Sequence, residues 1–186
     1  LAVVRFTHWI KWLSLGGSVL QLIVSILLWR FYVSAKQQAP SLPFLFENKY
    51  PIFTSWNIQL HVGIDGVSIA MILLTSFVLV AGILVSWNIE KMTKEFYCML
   101  WMLSLGAYGF FISLDLFLLF FFLELAVIPK YLLIGIWGSG KKENSANKLA
   151  LLLMFGSALV LVGMLILYTQ GGQTFDWMQL AQFSFS

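Results

Sequence analysis

Residues 65–87 read DGVSIAMILLTSFVLVAGILVSW. After Asp65 the run carries no charge, and as a helix it is about 35 Å long, enough to cross a hydrocarbon core of about 30 Å. Comparable runs lie at about 12–33, 96–113, 115–137 and 148–168. Each holds about 18 to 23 residues, where a membrane strand needs only about 10 of alternating polarity. Length therefore decides for helices where periodicity, in runs this apolar, cannot. The chain as a whole agrees: of 186 residues, 60% are apolar and 10% charged, with a mean hydropathy of +0.90. A soluble domain is nearer half apolar and a quarter charged. That arithmetic excludes a soluble enzyme, a nucleic-acid binder and a disordered linker. The expected fold is all-α, a polytopic transmembrane bundle of about five spans forming a single transmembrane region over 1–186.

Between the first two spans, Pro40, Pro43 and Pro51 break any helix, so residues 34–64 are expected to form a polar loop. Ser113, Leu114 and Asp115 form the short hinge between the third and fourth spans, and GSGKKENSAN (138–147) links the fourth to the fifth. Lysine and arginine orient the bundle. Arg5, Lys11, Lys91, Lys94, Lys141, Lys142 and Lys148 fall on one side, against Arg30, Lys36 and Lys49 on the other. This split puts the 138–147 loop in the cytoplasm and the 34–64 loop and the tail outside.

A charged side chain inside a span costs about 2.5 to 3.5 kcal/mol on insertion scales, so each one asks for a reason. Glu124, in FLLFFFLELAVIPKYLL, lies near the bilayer centre. Burial favours the protonated form of a carboxyl group and a nearby cation the ionised form; between those influences such a group can take up and release protons. Glu124 is thus read as a proton-relay residue, against the alternative of a hydrogen-bonded tie between helices. Pro129 removes the hydrogen bond to the Leu125 carbonyl and loosens the helix beside it. Lys130 follows. Six positions from Glu124, it points about 120° away around the helix and sits about 9 Å along it, so the two make no intrahelical pair. Snorkelling to the interface and a place in a proton path are both open for Lys130. Lys148 is read as opening the fifth span, as an interfacial anchor or a relay group.

Other residues point elsewhere. Asp65 and Asp115 stand where helix caps belong. His8 and His61 fall at opposite ends of the membrane, which does not suit haem ligation. One cysteine, Cys98, is too few for an internal disulfide or an iron–sulfur site. Trp12, Trp29, Trp87 and Trp137 mark the interfacial belt. GSG at 138–140 is a turn, since no phosphate-loop lysine and hydroxyl follow it. The chain opens on Leu1, close to its first apolar run, and is expected to be a piece of a longer protein.

Four blocks carry a family resemblance: LHVGIDGVSIAMILLTSF (60–77), SWNIEK (86–91), SLDLFLLFFFLELAVIPKYLLIGIWG (113–138) and NKLALLLMFGSALVLVGMLILY (147–168). In order and spacing they resemble the M chain of NADH:quinone oxidoreductase (respiratory complex I), an antiporter-like subunit of its membrane arm, over the family's N-terminal third. Two positions depart from the usual pattern: Leu123 stands where the family has Trp, and Lys130 where it is commonly apolar. The resemblance implies part of a larger antiporter-like bundle that moves protons through buried Glu, Lys and His. Glu124 falls at the family's essential glutamate, which pairs with a lysine on a later helix. No cofactor is expected in this chain; flavin, iron–sulfur clusters and quinone belong to partner subunits. The expected partners are other membrane-arm subunits and the lipid bilayer, with no nucleic acid, in the inner (cytoplasmic) membrane. A subunit of a cation/proton antiporter or membrane-bound hydrogenase, and a non-transporting membrane scaffold, are the alternatives.

Overall fold

The computed structural model describes residues 2–38, 44–53 and 58–182. Five long helices, α1 (Ala2–Gln38), α2 (Gly66–Val85), α3 (Thr93–Ile112), α4 (Leu116–Trp137) and α5 (Lys142–Gln170), are joined by a hairpin, β1 (Leu45–Phe53) and β2 (Ile58–Ile64), and followed by a short α6 (Trp177–Leu180). All five are long and apolar enough to cross a membrane. Successive helices run antiparallel. Lys11 donates to the Trp87 carbonyl at 2.7 Å while Ser25 meets Ser76 further along the same pair of helices.

Two caps are as the sequence suggests. The Asp65 carboxylate accepts from the Ser68 N–H at 2.7 Å, and Asp115 accepts from those of Phe117 and Leu118 at 2.9 and 3.2 Å. Each satisfies donors that the first turn of a helix leaves orphaned. Two boundaries differ from the reading. α1 starts ten positions ahead of Trp12, and α5 begins at Lys142, so Lys148 lies inside the helix and does not open it. Apolar content marks where a helix crosses lipid, whereas backbone hydrogen bonding carries it on into the polar ends.

The larger correction concerns 34–64. Ser34–Gln38 continue α1, and most of the remaining segment pairs as β1 and β2. Pro40 and Pro43 lie outside the described residues. Pro51 sits in β1, opposite Gln59. β1 is the edge strand of the pair, and a missing N–H is tolerated there. Irregular pairing between Leu45 and Asn48 coincides with Phe46, whose φ is 57°, the left-handed conformation that a bulge can require.

The other edge of β2 is covered. Leu114 N–H donates to the His61 carbonyl at 2.8 Å, and Val62 bridges Ser113. On the far side of that hinge, Leu116 N–H donates to the Phe175 carbonyl and Trp177 N–H to the Leu114 carbonyl, at 2.9 and 3.0 Å. The segment before α6 therefore folds back as a strap, and the α3–α4 hinge is extended chain held between β2 and the strap. Beneath it Ile58, Met164 and Phe175 form a buried cluster with Leu116, Phe117, Phe120 and Tyr168. A second cluster, Leu79, Ile83, Phe96 and Tyr97, closes the opposite end.

Candidate functional site

α4 has two working faces. Toward α3, a Cβ added to Gly106 would lie 2.9 Å from the Ala126 Cβ and 3.0 Å from the Phe122 carbonyl oxygen, and Gly109 lies against the Phe122 ring. Close approach through small residues is how membrane helices pack without a hydrophobic driving force between them. Toward α5, Phe117 and Phe120 join the Met164 cluster, the Tyr131 hydroxyl donates to Asn147 Oδ1 at 3.2 Å, and Gly135 meets Ala146. Glu124 is four residues after Phe120 and seven before Tyr131, so helical geometry puts it on this second stripe. Its Oε1 is buried with no hydrogen-bond partner. Interpolating along the antiparallel pair places half-buried Ser157 of α5 at its level. The Ser157 hydroxyl donates to its own helix, to the Met154 carbonyl, at 3.1 Å.

The sequence-derived companions do not gather around Glu124. Lys130 is exposed, on the flank between the two faces, while Pro129 is buried. Lys148 is exposed near the start of α5, at the opposite end from the hairpin. The ion pairs among Glu47, Lys49, His61 and Asp176 lie in the hairpin and strap, and Glu124 takes part in none of them. Chemically, the position offers one carboxyl between two apolar helices, able to hold a proton or to pair with a cation brought by another segment.

Two polar features were missed. One is a hydroxyl chain across three helices: Ser25 Oγ to Ser76 Oγ at 2.6 Å, and Ser76 Oγ to the Tyr108 hydroxyl at 2.7 Å. Ser14, Ser18 and Ser25 are all buried, and Gln21 Oε1 is buried without a partner. Their spacing, a polar stripe at helical period along α1, was the available signal. This chain borders α3 on the side away from α4, so it does not join Glu124.

The other is an ionic cluster under the hairpin. His61, fully buried, has Nε2 2.9 Å from Glu47 Oε1 and Nδ1 3.3 Å from Asp176 Oδ2, the latter too poorly aligned for a hydrogen bond. Lys49 bridges the same two carboxylates at 3.5 and 3.1 Å. Burial pulls the Lys49 amine down, but the hydrogen bond and charge of Asp176, with those of Glu47, outweigh it and the net direction is upward. Burial pushes the Asp115 carboxyl up from its ordinary 3.8, while N–H groups of Leu118, Gln59 and Phe117 pull back and the Asp176 charge adds to the rise. The folded chain thus holds this proton more tightly than the unfolded one. Stability is lost as pH rises above about 4 and levels off above the folded value. Asp115→Asn keeps the capping oxygen and removes the ionisation, so it should flatten that slope and be no less stable than wild type near neutrality. Asp115→Ala, losing the cap, should cost about 1 kcal/mol. Thermal unfolding of the protein at about pH 4 and about pH 7 reads both.

The family described as NADH:quinone oxidoreductase/Mrp antiporter, transmembrane, matches residues 113–185, which begin at the α3–α4 hinge and include Glu124. NADH-quinone oxidoreductase subunit M of Rhodobacter capsulatus is 34% identical over 177 residues, covering 94% of this chain and 33% of the relative. Over most of its length the chain is similar to members of this antiporter-like family. It is a multi-pass membrane protein, and it spans about a third of the length of the curated relatives it matches. In fold it is similar to a chain of respiratory complex I from Thermus thermophilus with bound NADH, at TM-score 0.80 and 19% identity, over 98% of this chain and 38% of that one. It is also similar to a chain of the membrane-bound sulfane sulfur reductase, an archaeal respiratory membrane complex, at TM-score 0.70 and 21% identity, over 94% and 34%. The helical antiporter-like architecture expected from the sequence is therefore the architecture present.

Proposed function

We propose that the chain is part of a proton-translocating membrane-arm subunit of NADH:quinone oxidoreductase, in which Glu124 relays protons. The observation that carries this reading is the buried, unpartnered Glu124 Oε1 on the α5-facing stripe of α4. A carboxyl so placed is costly unless it works or is paired, and intramembrane carboxyls mark proton paths. The names of the relatives support the assembly, and the matched segment contains the glutamate. In this reading Lys130 serves the interface by snorkelling, which its exposure favours, and Lys148 anchors α5 at the basic end. Flavin, iron–sulfur clusters and quinone reside in partner subunits, and this segment contributes no redox chemistry of its own. Neighbouring membrane-arm subunits and lipid surround it in the inner membrane.

The test is complementation. Membranes lacking the full-length subunit should lose NADH-driven proton uptake and regain it with the wild-type gene, and the protein should copurify with quinone-reducing subunits. Cation/proton exchange independent of NADH would contradict the reading. A second reading keeps the same mechanism in another redox-driven assembly, favoured by the likeness to the sulfane sulfur reductase complex; the copurifying subunits separate the two.

We further infer that the basic end faces the cytoplasm, from the lysine and arginine split. In intact cells Ser139→Cys, exposed in the α4–α5 turn, should resist an impermeant maleimide. Tyr50→Cys, exposed on β1, should react. The opposite pattern would reverse the topology.

A further inference from the structure

Between α1 and α3 at the basic end runs an open groove of about 570 Å³. Its floor exists because α1 carries glycines there: a Cβ on Gly17 would lie 3.0 Å from the Trp101 ring, and Gly16 has open space in front of it. The walls are mostly apolar, with Ser14 and Tyr97 as polar members of the lining and Leu20 at the inner limit. Lys94 lines the mouth, exposed, and forms no ion pair among the described residues. Lys91 stands three residues earlier at the same end. Glu95, also at this end, is not part of the lining.

Length selects the occupant. The α1 wall runs from Ile10 to Leu20, about 15 Å of helix, or half of a hydrocarbon core of about 30 Å. A transmembrane helix seated here would run on across the whole membrane, past the end of the groove. A lipid acyl chain spans one leaflet and stops. Mostly apolar walls one leaflet deep, with an unpaired ammonium at the interfacial opening, match an acyl chain below an anionic head group. We propose that this groove is a binding site for an anionic phospholipid of the leaflet at the basic end, its head group held by Lys94.

Cys98 lines the groove and is exposed, so it reports occupancy directly. The full-length subunit, in its complex, is reconstituted into vesicles of phosphatidylcholine alone or with phosphatidylglycerol. Alkylation of Cys98 by a membrane-permeant maleimide is then followed by peptide mass spectrometry. Phosphatidylglycerol should slow the reaction by about fivefold, Lys94→Gln should abolish the difference, and Lys94→Arg should retain it. Slow alkylation in both lipids that ignores Lys94→Gln would mean a protein segment fills the groove. Protection by phosphatidylglycerol that persists in Lys94→Gln would mean a general surface effect, and equal fast rates would mean no bound lipid. Each of these three results overturns the proposal.

Discussion

Glu124→Gln in the full-length subunit is expected to assemble normally and to lose proton pumping, to roughly a tenth of wild type or less. Glutamine keeps the size and the hydrogen-bonding capacity of the side chain but cannot exchange a proton. The stripe that holds position 124 is set by Phe117, Phe120, Tyr131 and Gly135, none of which depends on the carboxyl. Packing should therefore survive. Glu124→Asp retains the acid one methylene shorter and should keep partial activity. NADH-driven proton uptake in vesicles, set against quinone reduction in the same preparation, separates lost pumping from lost assembly. Wild-type pumping by the glutamine variant would make Glu124 a structural tie.

The second large effect is expected at the α3–α4 contact. Gly106→Ala places a methyl 2.9 Å from the Ala126 Cβ, and 3.0 and 3.1 Å from Phe122 O and Ala126 N. The last two are backbone atoms of α4, which cannot rotate aside, so the helices must separate. Overpacking of this kind costs about 1–3 kcal/mol, and Gly106→Val should cost more because it adds bulk against the same backbone. Gly82→Ala is the matched control: its new methyl would meet only Leu100 Cδ2 at 3.7 Å, an ordinary contact. It should be neutral or slightly stabilising, since alanine is the better helix former. Thermal unfolding of the full-length subunit in detergent measures both. Equal melting temperatures for the two alanine variants would refute the packing account.

The helices were readable because lipid imposes one strong rule, a long uncharged run, and residues 66–87 obey it without exception. The caps at Asp65 and Asp115 were readable too, since a cap and its helix are neighbours in the chain. The hairpin was not. Its second strand is completed by Ser113 and, through the hinge, by Phe175, and no local pattern announces partners so distant. Pro51 read as a breaker because its tolerance depends on β1 being an edge, a fact of pairing. His61 escaped for the same reason, as Glu47 and Asp176 approach it from a neighbouring strand and from the strap. Ser25, Ser76 and Tyr108 carry no charge to mark them in the sequence, yet their hydroxyls do the polar work between α1, α2 and α3. Glu124 was visible because a charge in lipid is conspicuous; the stripe it occupies emerged only from the contacts of α4 with α3 and α5.

The most direct test of the relay is to watch the carboxyl itself. Infrared difference spectra of the assembled complex, recorded between resting and NADH-driven states, should contain a protonated-carboxyl C=O band that shifts in wild type and is missing in Glu124→Gln. A difference spectrum unchanged by that substitution would show that Glu124 does not exchange its proton during turnover, and the account of this site would fail.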